Sequence, residues 1–414
     1  MNETHPLQIY LDSSDYSDLT RDQFADELKF LTKLVDTGTI QVRYSNVTIS
    51  ELIHTEKKHQ HYAIDRAKVL RALCRKRCLI YNDELLYRDC IRELVGQTSD
   101  FQFPNYAYDD KANWFPPRRG SLQSFKSELI KTVTNTIREE IKRHPNPAEK
   151  KLLKKRLKGF IRNGNFTSEG MNFIKNMDLD SAIIEKFTFL NKTKPSQMIR
   201  NHLLGKITHT ELENYLFENG ADPANLAEFT IDQIEDGLSK FQWLRKGGAS
   251  FIDGVKELLS LVDKIESFDK EHGNARSRKD IVNDYGLDFS SLRQKMLEKC
   301  WADYKDDFRR HKLTYSKFKT RYEDAELGTL PSIDIAVEIL PAYVEQLITK
   351  NRTKLLSSDF GDIAHAAYLP YVDIFRADRT MTHLFRNVAD KYQTKVIRTL
   401  SDLVSELDKS VSNQ

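Results

Sequence analysis

Four acids stand where short apolar segments give way to helices or loops. Asp12 ends "LQIYLD" (7–12), Glu51 lies in "VTISEL" (47–52), and Asp362 and Asp378 lie in "SSDFGDIAHAAYLPYVDIFRADR" (357–379). Carboxylates gathered in one place repel, at a cost of roughly 4 kcal/mol for a pair about 4 Å apart at an effective dielectric near 20. A hard divalent cation removes that cost, and oxygen donors without a Cys or His cluster suit Mg2+ or Mn2+ better than Zn2+. A cation held this way lowers the pKa of a bound water, orients it and neutralises charge developing on phosphorus. Phosphodiester hydrolysis is therefore the chemistry that fits.

For the acids to meet, the segments that carry them must share an edge. Residues 7–12 read as a buried strand whose last residue emerges at the carboxyl end of a sheet. A helix follows, with Phe24, Leu28, Leu31 and Leu34 at three- and four-residue steps and Gly38 as its stop. "TIQVRYSNVTISELI" (39–53) returns to β-branched alternation before another helix, which carries Glu51 on or near its first turn. Near the end of the chain, "YVDIF" (371–375) is a strand leading to Asp378, and "TKVIRTLSDLVSEL" (394–407) a strand followed by a helix. Strand–helix alternation predicts a parallel sheet, whose carboxyl edge is the usual binding crevice. Between the flanks, residues 122 to about 325 are helical in pattern, and "TSDFQFPNYAYDDKANWFPPRRGS" (98–121) reads as a loop or boundary anchored by Trp114. The expected organisation is 1–97 and 329–414 as one α/β domain interrupted by an α-helical insertion over 98–328.

Composition narrows the partners. The 414 residues carry 64 basic and 61 acidic side chains, a net charge of +3, so any nucleic-acid surface must come from local segregation of charge. Cys74, Cys78, Cys90 and Cys300 have neither a disulfide-framework pattern nor zinc-site spacing, and read as reduced, mostly buried thiols. There is no stretch of eighteen apolar residues and no basic-then-apolar leader, so a cytoplasmic protein without a membrane partner is expected. A P-loop, a nucleophile elbow and a Rossmann fingerprint are also missing from the sequence.

The acidic segments "IYLDSSDYSDL", "VTISEL" and "DFGDIAHAAYLPYVDIFRADRTM" resemble the three acidic motifs of PIN-like metal-dependent nucleases. The last is the most specific, because an Asp opens a helix of small residues, a strand follows, and another acid stands just beyond it. The resemblance covers about residues 5–95 and 330–408. It implies a three-layer α/β/α parallel sheet, a Mg2+ or Mn2+ site formed by Asp12, Glu51, Asp362 and Asp378 as catalytic and metal-ligating residues, and endonucleolytic cleavage of RNA, with DNA as the alternative polymer. By analogy it further implies a toxin or antiviral effector restrained by a regulatory protein or antitoxin. Two features depart from the family: "FRAD" supplies no hydroxyl before Asp378, and the gap between Glu51 and Asp362 is far longer than in a minimal domain. A catalytically degenerate scaffold or sensor, binding a partner through its insertion, is the competing reading.

Plainer roles compete at each position. Asp12 and Asp15 in "DSSD" read as a helix-capping run, with Asp15 the better cap and a lesser metal candidate. Asp359 reads as the N-cap of the next helix with Asp362 at its third position, which leaves Asp362 as the ligand and Asp359 as a further candidate. His365 is read as packed among alanines, and Arg376 and Arg379 as solvated or acid-pairing. "KKLLKKRLKGFIR" (150–162) carries Lys150, Lys151, Lys154, Lys155, Arg156, Lys158 and Arg162 without an acid, and is either a solvated helix face or a phosphate-binding surface.

Overall fold

The computed structural model describes residues 5–52, 60–95, 103–110, 130–176 (with gaps at 132–133, 136–137, 140 and 144), 197–198, 201–208, 210–212, 243–273, 276–278, 280–281, 290–323, 330–349, 358–379 and 381–412. Four short parallel strands form its main sheet: β1 (Leu7–Tyr10), β2 (Ile40–Arg43), β3 (Ile374–Arg376) and β4 (Lys395–Ile397), in the order β2-β1-β3-β4. Most other described elements are helices, so the chain is mixed α/β and mostly helical. The strands lack polar alternation because helices cover both faces: Ile9, Tyr10, Ile40, Val42, Ile374, Phe375, Val396 and Ile397 are all buried. Register sets Ile9 between Val42 and Ile374, and Phe375 between Tyr10 and Val396.

Local signals place the connections. The helix Ala25–Asp36 closes where Gly38, at φ +74°, donates its N–H to the Val35 carbonyl at 3.2 Å, as the apolar spacing predicts. The strand order then matters more than any single element. From β1 the chain moves to β2 on one side, whereas β3 joins the other side of β1, and this reversal leaves a crevice at the carboxyl ends of β1 and β3.

The described contacts divide the chain into two units, one comprising residues 1–116 with 240–414 and the other residues 117–239. The second unit is narrower than the expected insertion of 98–328, and apolar packing explains why. Val255 and Val262 of the helix Trp243–Glu271 are buried in the same core as Tyr10, Phe375 and Ile339. Leu297, Cys300, Tyr304 and Phe308 of the helix Ser290–Arg310 pack with Leu86, Cys90, Ile91 and Ile333. Within 98–121, residues 103–110 contribute the strand Tyr108–Asp109, paired antiparallel with Cys78–Leu79. Trp114 lies outside the described residues. All four cysteines are buried, and none forms a disulfide. Among the described residues no helix is long and apolar enough to cross a membrane.

One buried acid ties these pieces together. Asp89, fully buried, accepts hydrogen bonds from Tyr371 Oη at 2.8 Å, Ser332 N at 2.9 Å, Ser332 Oγ at 2.6 Å and the Tyr106 hydroxyl. Burial pushes its carboxyl up, and the Ser332, Tyr106 and Tyr371 donors pull it back. Every partner is a donor, so an acceptor-only side chain is required. Asp89→Leu strands these donors in the core, and urea denaturation of this variant is expected to show a loss of more than about 3 kcal/mol.

Candidate functional site

Asp12 leaves the end of β1 as the N-cap of the helix Ser13–Asp18. Its Oδ1 accepts the Ser14 N–H at 3.2 Å, and Asp15 Oδ2 accepts the Asp12 N–H at 3.0 Å, which completes a capping box with Asp in place of Glu. Both capping roles anticipated for "DSSD" are therefore filled. At the end of β3, Arg376 reaches across: Nη1 lies 3.1 Å from Asp12 Oδ2 and Nε lies 2.8 Å from Asp15 Oδ1. Arg376 is thus the acid-pairing arginine of the two expected, whereas Arg379 is exposed. Asp15 is fully buried; burial pushes its carboxyl well up and Arg376 opposes that shift.

Glu51 reaches the same place from the helix Asn46–Leu52, although it stands in the last turn of that helix rather than near its start. Three neighbours hold it. Ser13 Oγ donates to Glu51 Oε2, His365 Nε2 lies 2.9 Å from the same oxygen, and Gly361 presents bare backbone against the other. A methyl group at Gly361 would collide with Glu51 Oε1. Gly361 lies inside the helix Ser358–Ala366, where glycine costs about 1 kcal/mol relative to alanine. That cost was the readable sign of a close approach.

His365 is the site residue that sequence reasoning undervalued. It is 3% exposed, and one of its ring nitrogens and one oxygen each from Asp12 and Glu51 lie within 4.8 Å of one another. Its Nδ1 is 2.6 Å from the hydroxyl of Tyr10, which also meets Ser45 Oγ at 2.6 Å and Thr48 Oγ1 at 3.0 Å. Burial alone depresses the imidazole pKa, but the charge and hydrogen bond of Glu51, then Asp12 and Asp362, outweigh it and hold it above the ordinary value. An ionised Glu51 can only accept, so Nε2 carries a proton in either charge state of the ring. His365 therefore positions Glu51. The available signal was its place one turn beyond Asp362 on the same helix face.

Asp362 belongs to this cluster through its charge. Burial first, then Asp12, Asp378 and Glu51, push its carboxyl up to about 9. Asp378 sits just past β3, where its Oδ1 accepts the Met381 N–H at 2.6 Å. It thus helps start the helix Thr382–Ala389 as well as facing the site. The helix bounds put Asp359 inside the Ser358–Ala366 helix instead of at a cap, and its side chain lies outside the described residues. The lysines and arginines of 150–162 belong to the second unit.

Five carboxylates thus gather with one guanidinium and one imidazole, and burial first, then the neighbouring acids, favours the neutral form of Asp362. The grouped atoms are one oxygen each of Asp12 and Glu51 and a nitrogen of His365 that is committed to Glu51, so it is the carboxylates, with Asp362 close by in charge, that would suit a hard divalent cation.

Two outcomes follow from this geometry. In metal-free protein, folded Asp362 holds a proton between its unfolded value near 3.8 and about 9, so stability falls as pH rises through that window. The slope is at most about 1.4 kcal/mol per pH unit for one proton, and Asp362→Asn is expected to flatten the fall in thermal midpoint. Gly361→Ala displaces Glu51 from its seat. Mn2+ titration calorimetry is expected to show roughly 10- to 100-fold weaker binding with an unfolding midpoint no lower than wild type.

No protein-family model matches the chain, and no curated protein or solved structure matches it either.

Proposed function

We propose that this chain is a divalent-metal-dependent phosphodiesterase, an endonuclease acting on RNA, on a PIN-like version of the parallel α/β fold. The observation that carries the reading is the convergence of Asp12, Glu51 and His365 within 4.8 Å at the crevice between β1 and β3, with Asp362 near enough for the Asp12 and Glu51 charges to push its carboxyl up. Residues far apart in the chain are drawn together there at an electrostatic cost that packing alone has no reason to incur. Mg2+ or Mn2+ bound to these carboxylates would supply Lewis-acid stabilisation of phosphoryl charge and an activated water.

The side chains divide the remaining work. Arg376 pairs with the Asp12 oxygen Oδ2, and Asp15 holds the other edge of that guanidinium. His365 and Ser13 hold Glu51, with Tyr10 fixing the ring of His365 from behind. The Tyr10 phenol is buried and its pKa raised, so it remains a neutral hydrogen-bonding group. Asp362, whose carboxyl is pushed up, would have to give up its proton to hold a cation, so metal affinity would rise with pH until that carboxyl is ionised. Asp378 keeps one oxygen for the helix start and turns its charge toward Asp362. RNA as the polymer, and a restrained toxin or defence-effector role, rest on the PIN-like resemblance alone.

One observation favours the competing reading of a degenerate scaffold: Arg376 already pairs with Asp12, where a cation would bind. Cleavage separates the two. Purified protein with Mn2+ or Mg2+ is expected to nick labelled RNA, EDTA to stop it, and Asp12→Asn or Asp362→Asn to lower the rate more than about 100-fold with the fold retained. Cleavage that survives EDTA and both substitutions would overturn the metal centre. DNA in a parallel reaction tests the choice of polymer.

A further inference from the structure

The second unit carries a charged surface that the carboxylate site does not use. Asn146 caps the helix Pro147–Phe160 by accepting the Ala148 N–H at 2.9 Å. The chain then turns through the hairpin Ile161–Arg162 and Asn165–Phe166, with Asn163 at φ 50° and Gly164 at φ 70°, into the helix Ser168–Asn176. The two helices are locked together. Gly170 sits against the Phe160 carbonyl so closely that no Cβ would fit, and Thr167 donates through N at 2.8 Å to Phe160 and through Oγ1 at 2.6 Å to Gly159. Phe160, Phe166 and Met171 are buried between these elements.

This packing fixes which face of the first helix meets solvent. At 3.6 residues per turn, Lys150, Lys151, Lys154, Lys155 and Lys158 span an arc of about 140° opposite Phe160. Lys150, at the arc's margin, is half-buried, and the other four lysines are exposed. Among the described residues none of the four exposed lysines is ion-paired. They extend about 10 Å along the helix axis, and the sole acid of the helix, Glu149, lies in its first turn.

We propose that Lys151, Lys154, Lys155 and Lys158 form a binding surface for the phosphate backbone of a nucleic acid, engaged without regard to base sequence. Ammonium groups are compact point charges suited to phosphate oxygens, and a row of them neutralises successive phosphates with release of counterions. A membrane surface is disfavoured, because an interfacial helix needs a broad free apolar face and here Phe160 is buried, leaving Leu152 as the exposed large apolar side chain among the described ones of this helix. An acidic protein is disfavoured because Leu152 alone, beside the lysine row, falls short of the cluster of aromatic or aliphatic anchors that a protein interface needs. The surface deepens the ribonuclease reading by naming what would hold the polymer, and it is testable apart from cleavage.

The test uses full-length protein in EDTA and a short fluorescent single-stranded RNA of mixed sequence, with anisotropy followed across a KCl series. Replacing all four lysines by Gln is expected to weaken binding at least about 10-fold at low salt and to make the log–log salt slope shallower by about 2 to 3, near 0.7 per lost phosphate contact. The fourfold Lys→Arg variant is expected to keep both affinity and slope, which separates charge from a folding defect. Unchanged affinity and slope in the Gln variant would overturn the proposal. So would lysine-dependent binding to phosphatidylserine vesicles or polyglutamate with lysine-independent binding to RNA. Loss of RNA binding in the Gln variant, alongside unimpaired cleavage by Asp12→Asn, would leave this surface standing and remove the metal-site reading.

Discussion

Arg376 is the cation on which the carboxyl edge of the sheet depends. It leaves the end of β3 and pairs with Asp12 and Asp15 beyond β1, joining residues more than 360 positions apart through two charge-assisted contacts. With Arg376 buried, its charge needs both acids, and Asp15, fully buried, needs the arginine. Breaking either side would leave an uncompensated charge in the protein interior. One arginine still cannot balance the acids that gather here, and the raised carboxyl of Asp362 is the sign of that remainder.

Behind this charged edge the support is aromatic and polar by turns. Tyr10, last residue of β1, stacks on Phe375 at 5.0 Å and Tyr368 at 5.7 Å between ring centroids, with its hydroxyl directed to His365. A single side chain thus belongs to the apolar core by its ring and to the site by its oxygen. Through Nε2 of His365 that position passes to Glu51, whose carboxylate has a rigid seat only because residue 361 lacks a side chain. Farther from the site, the donor-only shell around Asp89 joins the helix Asn82–Cys90 to Ser332 and Tyr371. At Asp89 a buried acceptor whose neighbours are all donors admits one arrangement of the elements that carry them.

Much of this was written in the order of residue types. Apolar runs ending at acids marked β1 and β3, the three- and four-residue apolar steps and Gly38 marked the first long helix, and β-branched alternation marked β2. These are local properties, set by side-chain period and backbone conformation, and they survive without knowledge of neighbours. The choice of Asp12, Glu51, Asp362 and Asp378 as a group followed from where each stood relative to a strand or helix end. The lysine row of 150–162 was equally plain, since charge and helical period are both local.

Tertiary structure alone decided the rest, because it turns on contacts between segments distant in sequence. No local signal shows that Arg376 would pair with both Asp12 and Asp15. Nor does it show that Val255 and Val262 belong to the core of the sheet, so that the helices beyond residue 240 join the first unit and the second comprises 117–239. The sequence by itself determined which residues bear charge and which segments form strands and helices; the fold decided which charges face each other, and hence which acids are paired and which carboxyl is pushed up.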